Sequence, residues 1–301
     1  MTIYKMRKIW EVIMAIKIVT DSSCDLGINF IEENNIELIQ LLLNLDGEII
    51  KDDLGKSLGY REFYEKLRAG SMPSTSQINI YTFEEKFKEL LDAGYEILYI
   101  GLSSALSGTF NSANMARNNI LEENPNAKIA VVDSISVSMG LGMLIKKAYE
   151  MINEGKMLEE IVQWIEENKS KVIHAILVDD LKHLKRGGRL SASSAAVGTI
   201  LNIKPLLKLN NSGAVEATEK VKGKKKALKR LASIVKEKAI NIENEILYIM
   251  HGEVLEEAQY LKEIILQELN FKDVKVEYIG TVIGTHGGPG TIATVFWGNE
   301  R

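Results

Sequence analysis

Short apolar runs recur through the first half of the chain at "AIKIVT" (15–20), "IELIQLLLNL" (36–45), "EILYIGL" (96–102) and "KIAVVDS" (128–134), each trailed by small polar residues. Between them the apolar positions shift to the three-and-four spacing of amphipathic helices, in "LGYREFYEKLRAG", "TFEEKFKELLDAG", "TFNSANMARNNILEE" and "LGMLIKKAYEMINEG". Strands that are apolar throughout are strands covered on both faces, and their alternation with helices predicts a parallel sheet between helical layers. After "LEEIVQWIEENKS" the rhythm changes. There "KVIHAILVDD", "AVEATEKV", "NEILYIMHG" and "DVKVEYIGTVIG" read as strands, with helical spacing only in "KGKKKALKRLASIVKEKA" and "VLEEAQYLKEIILQEL". The pattern predicts an α/β protein of two domains. An N-terminal parallel-sheet α/β domain is expected over 14–167 and a C-terminal α+β domain over 168–301, while residues 1–13 precede the first strand pattern and are set outside the fold.

Composition then removes whole classes of function. The 301 residues are 46% apolar, enough for proper cores. With 37 basic against 41 acidic side chains and a formal charge of -4, the chain lacks the basic excess of nucleic-acid binders. Cys24 is the single cysteine, so no disulfide closes within the chain and a reducing, cytoplasmic setting is expected. No stretch approaches the roughly 20 apolar residues that span a bilayer. None of the four histidines has metal-ligand spacing, so no metal site is expected, and no cofactor either. "GLG" at 140–142 fails as a dinucleotide fingerprint because Ile145 stands where a third glycine belongs, and "GKS" at 55–57 fails as a phosphate loop because Ile50 replaces its upstream glycine. The nearest approach to a serine-hydrolase elbow, "GLSSA", ends in Ala105.

What remains is a set of hydroxyls at strand ends, where ligands of open α/β sheets sit. Asp21, Ser22 and Ser23 follow the first run; they read either as helix caps or as anion receivers. Thr75, Ser76 and Gln77 follow Pro73, with Thr82 read as the cap of the helix beyond. Ser107 and Gly108 precede another helix whose first N–H groups lack partners, and Gly108 lets a ligand approach the backbone. Ser134, Ser136 and Ser138 end the next strand, ahead of Gly140 and Gly142, which read as close helix packing. His174 lies in an apolar strand pattern and reads as structural, whereas His286 sits in the glycine-rich "GTHGGPG", a loop able to aim a side chain into a cleft. Lys182, Lys185, Arg186 and Arg189 crowd a Gly-Gly turn and form a positive patch.

Taken in order, "IVTDSSCDL", "TSQ", "LSGTFNSA", "VVDSISVSMGLG", "LKHLKRGGRL", "IKPLL" and "HGGPG" resemble the DegV family of bacterial fatty-acid-binding proteins, which includes the FakB subunits of fatty acid kinase. The resemblance runs from Lys17 to Phe296 and departs from the family at Ile78, where proline is usual, and at Cys24, where a smaller residue is commoner. It implies a two-domain protein with a lipid site between the domains. Carried over by motif, the carboxylate-binding residues fall on Thr75, Ser107, Gly108 and His286; Ser76 and Ser134, from their own places at strand ends, are expected as additional ligand contacts. Lys185, Arg186 and Arg189 fall on the face toward a partner or a phosphate.

The implied function is a non-catalytic, cytoplasmic carrier that buries a long-chain fatty acid and presents its head group to a separate kinase catalytic subunit for acyl-phosphate formation, with transient membrane contact and no nucleic acid. Neutral hydroxyls and amides would satisfy the carboxylate without a fixed cation. Two other readings compete. One is a lipid esterase or acyltransferase with Ser107 as nucleophile and His286 as base, and the other a regulatory module binding a phosphate ligand at Arg186 and Arg189.

Overall fold

The computed structural model describes residues 16–190 and 202–301. The N-terminal segment and residues 191–201 lie outside the described residues, and with them the expectation for 1–13. The first half runs β1 (Ile16–Asp21), a single 3₁₀ turn (Ser22–Cys24), α1 (Ile28–Glu33), β2 (Glu37–Ile39), β3 (Leu42–Leu45), β4 (Glu48–Lys51), α2 (Tyr60–Arg68), β5 (Ser74–Ser76), α3 (Ile80–Asp92), β6 (Glu96–Gly101), α4 (Thr109–Glu123), β7 (Ile129–Asp133), α5 (Met139–Asn153) and α6 (Leu158–Asn168). The second runs β8 (Val172–Leu177), α7 (Lys182–Arg186), β9 (Ile203–Leu209), β10 (Val215–Lys222), α8 (Lys224–Lys238), β11 (Ile246–His251), α9 (Leu255–Leu266), β12 (Asp273–Tyr278), α10 (Thr281–Gly287) and β13 (Ile292–Trp297).

The expected α/β class holds. β2, β1, β6 and β7 form a wholly parallel four-stranded sheet in that order. A six-stranded mixed sheet, β10-β9-β8-β13-β11-β12, occupies the second half, antiparallel except where β11 meets β12. Strand alternation divides its faces. Ile173, Ala175, Leu177, Leu247, Ile249, Ile292 and Phe296 point to α8 and α9 and close one core with Leu228, Leu231 and Leu261. Val172, Tyr248, Met250, Ala293 and Val295 point the other way and join the large core of the first half, with Leu141, Leu144 and Ile145 of α5. One face of the second sheet is therefore covered by the first half of the chain.

Several expectations needed correction. The apolar run 36–45 is two strands rather than one. Pairing with β1 ends at Ile39, the Leu41 amide turns to the Ser22 hydroxyl at 3.1 Å, and Leu42–Leu45 enters a separate antiparallel sheet, β4-β3-β5. The turn joining β3 to β4 is Asp46-Gly47, both residues with positive φ (54° and 92°), as a tight hairpin requires. Thr82 does not cap α3. Asn79 does, its side chain accepting from the Thr82 amide at 2.9 Å, so the helix begins earlier than the "TFEE" signature indicates. The strand read as "DVKVEYIGTVIG" stops at Tyr278, and "TVIGTHG" is the helix α10. Finally β9 and β13 are strands that the pattern reading passed over, although β13 is central, paired with both β8 and β11.

Candidate functional site

The two halves meet around a cavity with about 930 Å³ of space between atoms, its opening included. Its walls are apolar and drawn from both halves: Leu102 and Val137 from the first, Ile176, Leu207, Val282 and Val295 from the second. Thr75, Ser107, Arg189 and His286 also line it. An apolar chamber with a few convergent polar groups is the usual form of a small-molecule site.

Each polar group arrives by a different route. Thr75 is the middle residue of β5, whose pairing with Leu43 of β3 turns its side chain inward while Ser74 and Ser76 on either side are exposed. His286 comes from the far half, in the last turn of α10, not in a free loop. Their side chains meet across the seam, with 2.9 Å between Thr75 Oγ1 and His286 Nε2. The other ring nitrogen, Nδ1, is buried against Gly187 and has no partner among the described residues. A buried N–H without an acceptor costs more than a bare lone pair, so the proton belongs on Nε2. Nε2–H then donates to Thr75 Oγ1 and leaves the threonine hydrogen for a ligand. Burial, with Arg189, Arg186 and His183 nearby, holds the imidazole down at about 4, so it is neutral at pH 7.

Ser107 lies just ahead of α4. Its oxygen accepts from the Thr109 amide at 3.2 Å and lies 3.0 Å from Thr109 Oγ1, which in turn accepts from the Ile78 amide at 3.3 Å. This chain of contacts fixes the hydroxyl at the helix start. Gly108 is the N-cap of α4 and lies under Gln77, whose Oε1 would stand 2.1 Å from a Cβ at that position; it flanks Ser107 without lining the cavity itself.

The basic loop divides. Lys185 and Arg186 are exposed, whereas Arg189 folds back into the cavity lining, its Nε donating to Leu106 O at 3.0 Å. A guanidinium is thus present at the polar end, contrary to the expectation that the site manages without a fixed cation. Gly187 is the reason this loop can close on the site, since a Cβ there would stand 2.3 Å from His286 Nδ1. Gly288, at φ 79°, receives His183 in the same way, with Cδ2 2.4 Å from a notional Cβ. The "RGGR" and "HGGPG" segments interlock.

Other expected contacts lie elsewhere. Ser76 points to the outside of β5, and Ser134 is fully buried in its own turn, its oxygen accepting from the Ser136 amide at 3.1 Å. Asp21 takes the capping role, while the Ser22 hydroxyl accepts from the Leu41 amide and the Ser23 hydroxyl donates to Asp21. Asp21 accepts from the Ser23 amide, the Tyr99 hydroxyl and the Leu102 amide, and no part of the trio lines the cavity. The Ser107–His286 dyad of the esterase reading is not formed, because His286 Nε2 is engaged by Thr75 and Nδ1 is sealed. Gln77, Ser138, Thr291 and His174 line the cavity without having been singled out as ligand contacts. Of these Gln77 carried a signal in its place two residues after Thr75 and Ser138 in its place among the strand-end hydroxyls, whereas His174 read as structural and Thr291 carried none.

Among the described residues there is no cluster of metal-ligating side chains, and no helix is long and apolar enough to cross a membrane.

Comparison with known proteins follows the same outline. Residues 15–299 match the model of the DegV family, which is described as a family of uncharacterised proteins. A DegV domain-containing protein of Clostridium perfringens is 42% identical over 284 residues, covering 94% of this chain and 98% of the relative. Among solved structures, a DegV family protein from Thermus thermophilus, described for its fatty acid binding, superposes with a TM-score of 0.85 at 30% identity, covering 94% of this chain and 99% of that one. A fatty-acid-binding DegV family protein from Streptococcus agalactiae gives 0.83 at 30% identity, over 95% and 99%.

Proposed function

This chain belongs to the DegV family, and on that premise we propose that it binds a long-chain fatty acid in the cavity between its halves and presents the head group to a separate kinase subunit. One observation carries the reading: hydroxyls, a neutral imidazole and one guanidinium converge in a chamber whose walls are otherwise mostly apolar. The carboxylate would accept from the Thr75 and Ser107 hydroxyls and the Gly108 amide, with Arg189 supplying the opposite charge. His286 would hold Thr75 in the donating orientation. Each methylene buried along the apolar walls contributes about 0.8 kcal/mol, so a long chain is retained through its tail while the head group is oriented by its donors.

Neither ester hydrolysis nor phosphate regulation draws comparable support. A serine nucleophile needs a base within hydrogen-bond reach, and His286 is committed to Thr75. In the carrier reading the protein needs no cofactor and no catalysis of its own. Exposed Lys185 and Arg186, at the rim near Arg189, would meet the kinase or the phosphoryl group, and brief contact with a membrane would load the ligand within the cytoplasm.

The test is mass spectrometry of an organic extract of the purified, denatured protein. About one equivalent of fatty acid is expected. Folded protein that carries no lipid and takes up no added oleate would refute the proposal.

A further inference from the structure

His286 reaches Thr75 only because α10, which belongs to the second half in chain order, is embedded in the first. Its anchorage is polar and buried. Asp52, 5% exposed, accepts from the Thr281 hydroxyl at 2.9 Å at the first turn of the helix. Asp25, 7% exposed, accepts from the Ser138 hydroxyl, and its Oδ1 lies against Gly280, the N-cap, so closely that a Cβ there would stand 2.4 Å away. Tyr64 donates to Ile279 O at 2.9 Å just before the helix, and Thr285 donates back to Thr281 O at 2.8 Å within it. Both carboxyl groups are buried with few contacts beyond these, Asp25 Oδ1 beside the Gly280 amide and Asp52 also beside the Ser22 hydroxyl, at a cost that packing alone does not require.

We infer that Asp25 and Asp52 are positioning residues for the ligand site: they fix the N-terminal turn of α10 and thereby set His286 against Thr75. The inference rests on the fatty-acid reading of that site for its consequence, though not for its geometry. The path is short, running from Asp52 to Thr281 and along one helix to His286. Rotating α10 by a fraction of a turn would withdraw Nε2 from the threonine and leave the hydroxyl unoriented. Burial pushes the Asp25 carboxyl up to about 8 and that of Asp52 up to about 6, against the pull of Ser138 and the nearby Gly280 amide on one and of Ser22 and Thr281 on the other, which agrees with carboxyls kept for geometry rather than for charge.

The experiment compares wild type with Asp52→Ala, Asp52→Asn and Thr281→Val, using oleate and methyl oleate as probes and the nitrogen-15 shifts of the His286 imidazole in the lipid-free protein. Asp52→Ala and Thr281→Val should weaken oleate binding about tenfold and methyl oleate binding less than twofold. Both should shift the His286 resonances. Asp52→Asn keeps an acceptor for Thr281 and should resemble wild type in all three measurements. Equal losses for acid and ester would show general damage to the cavity and overturn the inference, as would unmoved His286 resonances in both Asp52→Ala and Thr281→Val. Wild-type protein that binds neither lipid would instead refute the fatty-acid reading, and the imidazole shifts would still decide whether the aspartate sets the histidine.

Discussion

Thr75 and Ser107 show how much of a site a residue-level reading can reach. Thr75 sits within a three-residue strand and Ser107 just ahead of a helix, each followed by glycine or polar residues, and the structure brings both to the cavity. Ser76 and Ser134 have the same composition and neighbourhood but are placed elsewhere, because a period of two turns Ser76 outward and a local turn consumes the Ser134 oxygen. Sequence shows that a hydroxyl is present but not which side of a three-residue strand it occupies. Arg189 was legible as basic, whereas its separation from Arg186 depends on a backbone reversal at Gly187-Gly188 that the pattern does not encode. Thr75→Val conserves shape and removes the hydroxyl that His286 orients. A hydrogen bond to a charged group contributes about 1.5–3 kcal/mol, so fatty-acid affinity should fall roughly 10- to 150-fold by titration calorimetry, with the thermal midpoint little changed. Unchanged affinity would remove Thr75 from the head-group site.

At the scale of elements, α10 marks the limit of pattern reading. "TVIGTHG" mixes β-branched residues with glycine, a poor helix by propensity, and it is helical because Asp52, Tyr64 and the preceding carbonyls hold it. The helices α2, α5, α8 and α9, by contrast, have continuous three-and-four apolar spacing and are legible in the sequence. The buried groups around α10 also predict a pH signature. Asp25 ionises at about 8 in the folded chain against about 4 unfolded, so its contribution to stability is complete below pH ~4 and is lost as pH rises through about 8. Asp52 has the same sign, its loss ending near 6. His286 has the opposite sign. Held at about 4 against an ordinary value near 6.5, it contributes fully above pH ~6.5 and loses that contribution as pH falls through about 4. Cys24 and Tyr60, beside the aspartates, are both pushed upward and stay protonated across this range. Between pH 6.5 and 8, then, Asp25 alone among these groups gives stability a falling slope. Urea unfolding across that window should show the fall in wild type and a shallower one in Asp25→Asn; a slope that survives the substitution unchanged would assign it elsewhere.

For the whole molecule, the sheets were only half foreseen. The parallel sheet follows from four apolar runs, and three of them are the strands observed. The six-stranded sheet depends on β13, whose run "IATVFW" follows a glycine-rich segment and is placed by pairing with strands far away in sequence, information that no local window holds. The joint between the halves is likewise non-local. Arg301 is buried, and its guanidinium donates to Ile135 O and Ser136 Oγ on one side of the joint and to Lys169, Val172 and Asn210 carbonyls on the other. Arg301→Ala should lower unfolding free energy by about 2–3 kcal/mol, seen as a reduced urea midpoint, because several buried carbonyls lose their donor at once. Arg301→Lys should recover little of it, since an ammonium cannot reproduce a planar fork of five N–H groups. Full recovery by lysine would mean that charge, not geometry, closes the joint.

The contact between Gly187 and His286 Nδ1 has a bearing on how such a chain can change over generations. With the imidazole in place, almost any new side chain at 187 meets it, so that route is closed first. Once the histidine has been replaced by something smaller, the glycine is released and a side chain can enter, after which the histidine has no room to return. The pair forms a one-way gate in sequence space: descendants that shed the histidine are expected to accumulate larger residues at 187, and restoring the histidine alone in those backgrounds should fail unless the glycine is restored with it.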